Sequence, residues 1–453
     1  MSESREHAVV IGGSLAGLLA ARVLVDHFAR VTLIERDRLP DTAAFRPGIP
    51  QSRHLHVLWS SGLGVVERLF PGLEDELRTA GAQVVRVPAD VLWLTSAGWR
   101  RRFEVNRLLT CSRGLLDWAV RARLADAEGL RLLTGHEVTG LVPDATGRGV
   151  AGVEVRERGT AGAVEPLPAD LVVDATGRGS RAPEWLGRLG YPEPPQTRVD
   201  PLLGYASRCY AMPPGFDRDW KALYIQADPP GTRSGLLFPQ EGDRWIVSLF
   251  GTAGDYAPTD EKSFMEFASR LRSPVLYEAI RDAEPLTPIF GFRDTANHRR
   301  HYERLPRWPL RFVVLGDAVC AFNPIYGQGM SVAAISAMTL DRCLRGAGGL
   351  DRLARRFQRL AAKDASGAWL VATGEDLRYD TTVGPPVGPS TRILNRYVDR
   401  IVAVANVDPA VCTRLVEVLA LTAEPQSLFR PEVLWRAATT RTRQPAGPDD
   451  LTV

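Results

Sequence analysis

Residues 9–37 read VVIGGSLAGLLAARVLVDHFARVTLIERD, and this stretch decides the fold of the chain. The apolar run at 8–11 predicts a buried strand, and the segment after the glycines has apolar residues at helical spacing, beginning with Leu15 and Leu18. A second apolar run, RVTLIE, ends at Glu35. Strand, glycine turn, helix and strand together predict a βαβ unit.

The turn carries an altered form of the Gly-x-Gly-x-x-Gly pattern of dinucleotide-binding proteins, because Ser14 stands in place of the middle glycine. Gly12 permits the tight turn and Gly17 permits close helix packing, so a pyrophosphate can rest on the free N–H groups of the helix. Serine is small, and its hydroxyl can donate a hydrogen bond. Glu35 lies 18 residues after Gly17, near the spacing of the acid that binds a ribose hydroxyl. Dinucleotide binding is therefore predicted, and a purely structural turn is the alternative.

The second half of the chain carries another ordered pattern, FVVLGDAVCAFNPIYGQGMSVAAISAMTLDRCL, at 312–344. It predicts an apolar strand, a Gly-Asp pair, a loop with proline and glycines, and a helix. A nicotinamide-dependent dehydrogenase would normally continue the first unit with more alternating strands and helices. This chain does not, so the layout favours another class of dinucleotide protein.

Together with DLVVDATGRGS at 170–180, these segments resemble the flavoprotein monooxygenases of the para-hydroxybenzoate-hydroxylase fold, over most of residues 8–345. Within that class, RPGIPQSRHLHVLW, CSRGLLDW, DATGRGS and GDAVCAFNPIYGQGM are most similar to bacterial flavin epoxidases that act on polyene precursors of polyether polyketides such as lasalocid and monensin. The resemblance implies an α/β fold, in which a Rossmann-like FAD-binding domain is interleaved with a mostly antiparallel β-sheet substrate domain, plus a C-terminal helical region.

The resemblance implies FAD as the cofactor. Asp317 would accept hydrogen bonds from the ribityl hydroxyls, and Pro324 would lie beside the isoalloxazine ring. The backbone N–H groups that begin the next helix would face the N1 and C2 carbonyl edge of the flavin, where negative charge collects on reduction. They belong to Gly327, Gln328, Gly329 and Met330. No side chain is assigned a catalytic role, since the flavin carries the chemistry while Pro324, Gly327 and Gly329 position and polarise it.

Several further basic residues complete the predicted cofactor set. Arg113 in CSRGLLDW and Arg53 in SRHLHVL match arginines that the family holds near the cofactor, and Arg36 directly follows Glu35. Ordinary surface arginines remain the alternative for Arg53 and Arg113. His54 and His56 are two residues apart, unlike the i, i+4 spacing of a helical metal pair, so packing or hydrogen bonding is expected and no metal site is predicted.

Strand-like runs between 200 and 310 predict the mostly antiparallel sheet, including a hairpin through Glu-Gly-Asp at 241–243 and a covering helix capped by Thr259. We expect the FAD-binding domain at 1–199 and 306–374, the sheet domain at 200–305 and the helical region at 375–453. Aromatic residues of the sheet domain suit an apolar small-molecule substrate, although such residues are more often core than pocket. The candidates are Tyr224, Phe238, Trp245, Phe250 and Phe290.

The composition excludes several other classes. With 56 basic and 53 acidic residues the net charge is +3, which predicts no recruitment of nucleic acid or acidic membranes. The 5 cysteines are scattered, which argues against a disulfide framework or a zinc site. The chain has no signal-peptide pattern and no apolar run long enough to span a membrane, so a cytoplasmic protein is expected.

The implied reaction is transfer of one oxygen atom from O2, through a flavin C4a-hydroperoxide, to an alkene of an apolar polyketide or terpenoid intermediate. Hydroxylation of an aromatic or aliphatic natural-product intermediate, a flavin reductase resembling geranylgeranyl reductases, and a flavin-free binding protein are the alternatives. DATGRGS departs from the Asp-Gly of standard hydroxylases, so NAD(P)H could reduce the flavin directly or through a separate flavin reductase as partner.

Overall fold

The computed structural model describes residues 5–160, 162–346 and 349–451. The helices within these ranges are α1 (Leu15–Val25), α2 (Ser60–Leu69), α3 (Leu73–Thr79), α4 (Arg113–Ala125), α5 (Ala182–Arg188), α6 (Glu261–Ser269), α7 (Val275–Ile280), α8 (Gly329–Arg345), α9 (Gly349–Asp364), α10 (Ser366–Asp376), α11 (Pro389–Ala405), α12 (Pro409–Leu419) and α13 (Pro431–Thr439).

The strands are β1 (His7–Ile11), β2 (Arg30–Glu35), β3 (Val57–Trp59), β4 (Gln83–Pro88), β5 (Val91–Thr95), β6 (Gly98–Trp99), β7 (Glu104–Thr110), β8 (Leu130–Thr134), β9 (His136–Pro143), β10 (Val150–Glu157), β11 (Glu165–Pro168), β12 (Leu171–Asp174), β13 (Gln196–Val199), β14 (Gly204–Ala211), β15 (Ala222–Ile225), β16 (Arg233–Gln240), β17 (Arg244–Gly251), β18 (Phe290–Phe292), β19 (Asn297–Arg300), β20 (Phe312–Val314) and β21 (Cys320–Ala321).

The nucleotide-binding half is built on a five-stranded parallel sheet in the order β20-β12-β1-β2-β8. Its strands are continuous apolar runs because both of their faces are covered. Every residue of β1 is buried. Helices α1 and α8 pack against each other beside this sheet, and the β9–β11 meander contributes Val138 and Val153 to the same core. The predicted βαβ unit and fold class are confirmed.

The other half is a seven-stranded sheet in the order β18-β14-β17-β16-β15-β5-β6. It is antiparallel except where β5 pairs in parallel with β15, and β16 and β17 form the predicted hairpin around 241–243. Strands β5 and β6 come from the range 1–199 that the sequence assigned to the first domain. The two halves are therefore interleaved more deeply than the predicted boundaries imply.

The helix expected after Thr259 starts one residue later, because Asp260 is its N-cap and accepts a hydrogen bond from the Ser263 N–H. It also ends early, at Ser269, and α7 begins only after Pro274. A proline lacks the N–H that a continuous helix needs at its interior. The single predicted helix is thus two short ones, both covering one face of the sheet.

The C-terminal region supplies the cover of the other sheet face. Helices α11 and α12 lie in the region 375–453 that the sequence predicts to be helical. Their Ile401, Val404 and Leu415 share a core with Phe238 and Phe250 of the sheet. Among the described residues, no helix combines the length and apolarity that crossing a membrane requires.

Candidate functional site

The turn between β1 and α1 is closed so tightly that its glycines cannot be replaced without a clash. A Cβ on Gly12, whose φ is +99°, would lie 2.8 Å from the Ala175 carbonyl oxygen. A Cβ on Gly17 would lie 1.8 Å from the Gly12 carbonyl oxygen. These contacts bring the start of α1 directly against the ends of β1 and β12, with the free N–H groups of its first turn at this edge.

Ser14, the residue that departs from the glycine pattern, is the N-cap of α1, but its side chain does not cap the helix. Its Oγ instead accepts a hydrogen bond from Nη2 of Arg113 at 2.9 Å. Arg113 is the first residue of α4, is buried, and donates through Nε to Asp117 at 2.8 Å. The structure thus joins two predicted site residues, and a buried cation lies beside the N-terminus of α1, as a pyrophosphate requires.

Glu35 is the last residue of β2, and its carboxylate is hydrogen-bonded at the same edge of the parallel sheet. Its carboxylate accepts from the N–H groups of Gly13 at 2.8 Å and Asp37 at 2.9 Å, and Nη1 of Arg46 lies 3.0 Å away. Arg46 also donates to the Gly13 carbonyl at 2.7 Å. Sequence reasoning missed Arg46, although it opens the quoted stretch RPGIPQ. The side chain of Arg36 is exposed.

Asp317 lies in the turn after β20, next to Gly177 and Gly329. Within the part of the chain that the structure describes, its carboxylate makes no hydrogen bond and no ion pair. Burial raises the pKa of Asp317, and Arg178 and Arg113 oppose that rise. A partly buried acceptor without a partner among the described residues, flanked by two glycines, fits a ligand that brings its own hydroxyl donors.

The loop after Asp317 is held in one conformation by β3. Pro324–Tyr326 forms a short helical turn, and Gly327 follows in the left-handed region with φ +62°. A Cβ on Gly327 would approach Cγ2 of Val57 to 2.6 Å, and Nε1 of Trp59 donates to the Tyr326 carbonyl at 3.1 Å.

Helix α8 begins directly after this loop, with Gln328 as its N-cap and Gly329 as its first residue. The Gln328 side chain is buried and donates to the Leu419 carbonyl at 2.9 Å, while Met330 is partly buried. The N–H groups of the first helical turn have no intrahelical acceptor and remain available to a ligand. The four residues predicted to face the flavin edge therefore lie together.

His54 and His56 are hydrogen-bonding residues, as expected. Nδ1 of His54 lies 2.9 Å from Oγ of Ser207, and its ring meets Tyr205 edge-on at 4.5 Å. Burial lowers the pKa of His54 to about 3 and that of His56 to about 4, so both rings are neutral at neutral pH.

Arg53 lies apart from the turn between β1 and α1. Its guanidinium covers the rings of Phe45 at 3.8 Å and Phe290 at 4.4 Å, and these three side chains line a groove of about 490 Å³. Two predicted residues of different roles, Arg53 and Phe290, thus meet at the boundary between the two halves. A contact of Arg53 with the cofactor stays a prediction.

The aromatic candidates of the sheet divide between its two faces. Tyr224 stacks on Trp93 at 5.5 Å, and Phe238 and Phe250 belong to the same core between the sheet and the C-terminal helices. Trp245 packs instead against Phe216 and Trp220 under α6. Since side chains alternate along a strand, the odd-numbered Trp245 and the even-numbered Phe250 of β17 face opposite sides. Trp245 and Phe250 therefore cannot line one cavity on a single face of the sheet, and a substrate contact of either residue stays a prediction.

Comparisons with known proteins agree with this arrangement. Residues 5–353 match the family model described as FAD binding domain. The chain is 32% identical over 427 residues to "Protein Rv3254" of Mycobacterium tuberculosis, covering 89% of this chain and 87% of the relative. It is 27% identical to kynurenine 3-monooxygenase of Salinispora arenicola, covering 76% and 73%. The crystal structure of PqsL, a probable FAD-dependent monooxygenase from Pseudomonas aeruginosa, superimposes with a TM-score of 0.62 at 19% identity, covering 83% of this chain and 98% of that chain.

Proposed function

The chain belongs to the FAD-binding domain family, and from this membership we propose that it is a monooxygenase that epoxidises an alkene of an apolar polyketide or terpenoid intermediate. Bound and reduced FAD would supply the activation of O2. The observation that carries the proposal is the carboxylate of Asp317, which has no hydrogen-bond partner among the described residues and lies between the β1–α1 turn and the start of α8.

The chain's residues fit FAD along its whole length. Arg113 and Ser14 would hold the pyrophosphate at the N-terminus of α1, and the remaining lone pairs of Glu35 would accept the ribose hydroxyls. Asp317 would accept the ribityl hydroxyls. The N–H groups from Gln328 onward would stabilise negative charge at the pyrimidine edge of the flavin, whereas the Gly327 N–H already donates to the Pro324 carbonyl at 3.0 Å.

The sheet face that carries Tyr224, Phe238 and Phe250 is proposed to hold the substrate and keep water away from the reacting atoms. Glu375 and Tyr379 line a cavity of about 800 Å³ beside α10, and both also approach Tyr224. This cavity is the proposed substrate entrance. An apolar sheet face that is reached through a more polar cavity suits a long apolar molecule that enters by one end.

Hydroxylation of an aromatic ring is the second candidate. It is favoured by the 27% identity to kynurenine 3-monooxygenase over 76% of the chain. Both reactions transfer one oxygen atom and need the same exclusion of water, so the family does not separate them. The electron donor is NAD(P)H, acting directly or through a separate flavin reductase.

FAD binding to the apoprotein, measured by quenching of flavin fluorescence, tests the cofactor site. Asp317→Ala should weaken binding about tenfold or more, because it removes the proposed charged acceptor of several hydroxyl donors. Asp282→Ala, at a position whose side chain is 85% exposed, is the matched control and should bind normally. Retention of FAD by Asp317→Ala at an unchanged Kd would refute the assignment.

The reaction is tested by supplying the reduced protein with isotopically labelled O2 and two probes, farnesyl acetate as an apolar alkene and a hydroxyquinoline as an aromatic ring. A labelled epoxide of the alkene is expected. A labelled phenol instead would favour the hydroxylase. Consumption of O2 to hydrogen peroxide alone across a panel of apolar alkenes would contradict the epoxidase proposal. Bleaching of bound FAD by NADH or NADPH without added reductase would assign the reduction to this chain.

A further inference from the structure

Three buried polar side chains meet behind the loop that precedes α8. Asn297 comes from β19, Asn323 directly precedes the turn Pro324–Tyr326, and Asp376 is the last residue of α10. Their exposed fractions are 0%, 1% and 4%. They belong to different parts of the chain and are joined only by folding.

Hydrogen bonds connect the three into one network. The Asp376 carboxylate accepts from Nδ2 of Asn297 and, at 2.9 and 3.1 Å, from Nδ2 of Asn323. Oδ1 of Asn297 accepts from the Asn323 N–H at 2.7 Å, and Oδ1 of Asn323 accepts from the Ile325 N–H at 3.1 Å. Each asparagine therefore uses its amide group to donate to Asp376 and its oxygen to hold the backbone of the loop.

We propose that Asp376 is a positioning residue for the cofactor: by orienting Asn323 and Asn297 it fixes the turn at Pro324 and, through it, the backbone N–H groups from Gly327 to Gly329. This inference rests on the proposed role of that loop in holding FAD. It adds a function for the C-terminal region, which lies outside the matched family range of 5–353.

The orientation of both amides depends on the carboxylate. An asparagine side chain can turn over and exchange its oxygen and nitrogen, and the acceptors on Asp376, helped at Asn297 by the Val199 carbonyl at 3.4 Å, select the orientation that aims both oxygens at the loop backbone. Without that selection, the Asn323 and Ile325 N–H groups lose their acceptors in a buried place, which is costly. The loop would then be free to shift relative to α8.

The protonation state of Asp376 changes near neutral pH. Burial, together with the charges of Glu375 on its own helix and Asp200 after β13, raises the pKa of Asp376 to about 7, although the hydrogen bonds from Asn323 and Asn297 lower it. Tyr326 of the loop and Tyr379 after α10 also face it and stay neutral, since burial raises the pKa of both phenols. The ionised carboxylate is the stronger acceptor for both amides, so FAD affinity should fall as the pH drops below about 7.

The test compares FAD affinity and the visible spectrum of bound flavin at several pH values in the parent chain and in Asp376→Asn and Asp376→Leu. Asp376→Asn keeps the shape of the side chain, but the amide cannot ionise and has one acceptor oxygen in place of two. Asp364→Asn is the matched control, because Asp364 is a partly buried acid with a raised pKa that accepts from Thr339 of α8, away from the loop.

The parent chain and Asp364→Asn should show a Kd for FAD that rises as the pH falls through about 7. Asp376→Asn should lose this dependence and shift the flavin spectrum, and Asp376→Leu should bind about tenfold more weakly or worse. If Asp376→Leu does not fold, the pH profile of Asp376→Asn still decides. A folded Asp376→Asn with the parent's pH profile and spectrum would overturn the inference. Failure of the parent chain itself to bind FAD would instead overturn the proposed function.

Discussion

Replacement of Gly17 by alanine tests whether the first turn is as tight as the structure shows. The added Cβ would lie 1.8 Å from the Gly12 carbonyl oxygen, whereas a carbon and a carbonyl oxygen in close contact are about 3.3 Å apart. The helix must therefore move by about 1.5 Å, the difference between these distances. Helix α1 has little room to do so, because Leu15, Leu18 and Leu19 are all buried.

The expected magnitude follows from two opposing effects. Overpacking of a buried site costs about 3 kcal/mol at the upper end of its usual range. Alanine in place of glycine inside a helix contributes about 1 kcal/mol of stability. The net loss is about 2 kcal/mol, which for a large domain lowers the melting midpoint by about 4 °C. FAD affinity should also fall, since the start of α1 moves away from the pyrophosphate.

Gly64→Ala is the matched control, because Gly64 also lies inside a helix, α2, and a Cβ there would meet nothing within 4 Å. This variant should melt about 2 °C higher than the parent and bind FAD unchanged. Thermal melts of the apoproteins and FAD titrations make both measurements. A Gly17→Ala variant that melts as high as Gly64→Ala and binds FAD like the parent would refute the reasoning.

Two further outcomes are expected. Arg113→Ala should weaken FAD binding about tenfold or more, because it removes a buried cation and leaves Asp117 with only a distant partner. Ser14→Ala should weaken FAD binding less. Equal losses of FAD affinity for the two variants in fluorescence titrations would contradict a role of the Arg113 charge. For His54, burial lowers the folded-state pKa to about 3 against 6.5, so only the unfolded chain binds this proton between those values and stability falls as the pH drops. His54→Gln should therefore lose about 2 kcal/mol less than the parent between about pH 7 and pH 5, as measured by urea unfolding.

The sequence predicts those parts of the site whose residues lie close together along the chain. Gly12, Gly17 and Glu35 follow one another at a spacing set by a single βαβ unit, so their meeting needs no knowledge of the rest of the chain. The substitution at Ser14 could be recognised but not explained, because its partner Arg113 is 99 residues away.

The remaining features depend on contacts between distant segments. Arg46 reaches Glu35 and Gly13 through a loop without periodicity, and Asp376 reaches Asn323 from a different part of the molecule. The separation of Trp245 from the other aromatic candidates was not predicted for another reason. The alternation along β17 was visible, but which face is turned toward the cofactor is decided by packing of the whole sheet.

The pairing of β5 with β15 has a consequence for how this protein can be made and divided. Residues 91–95 complete their sheet only when residues 222–225 are available, and the FAD-side sheet in turn needs β20 at 312–314. A fragment ending at residue 199 would carry β5 with an unpaired edge, a template for aggregation. Neither half can be excised at a single cut, and biosynthesis must reach β18 at 290–292 before the seven-stranded sheet has all its strands and β20 before the parallel sheet has all of its own.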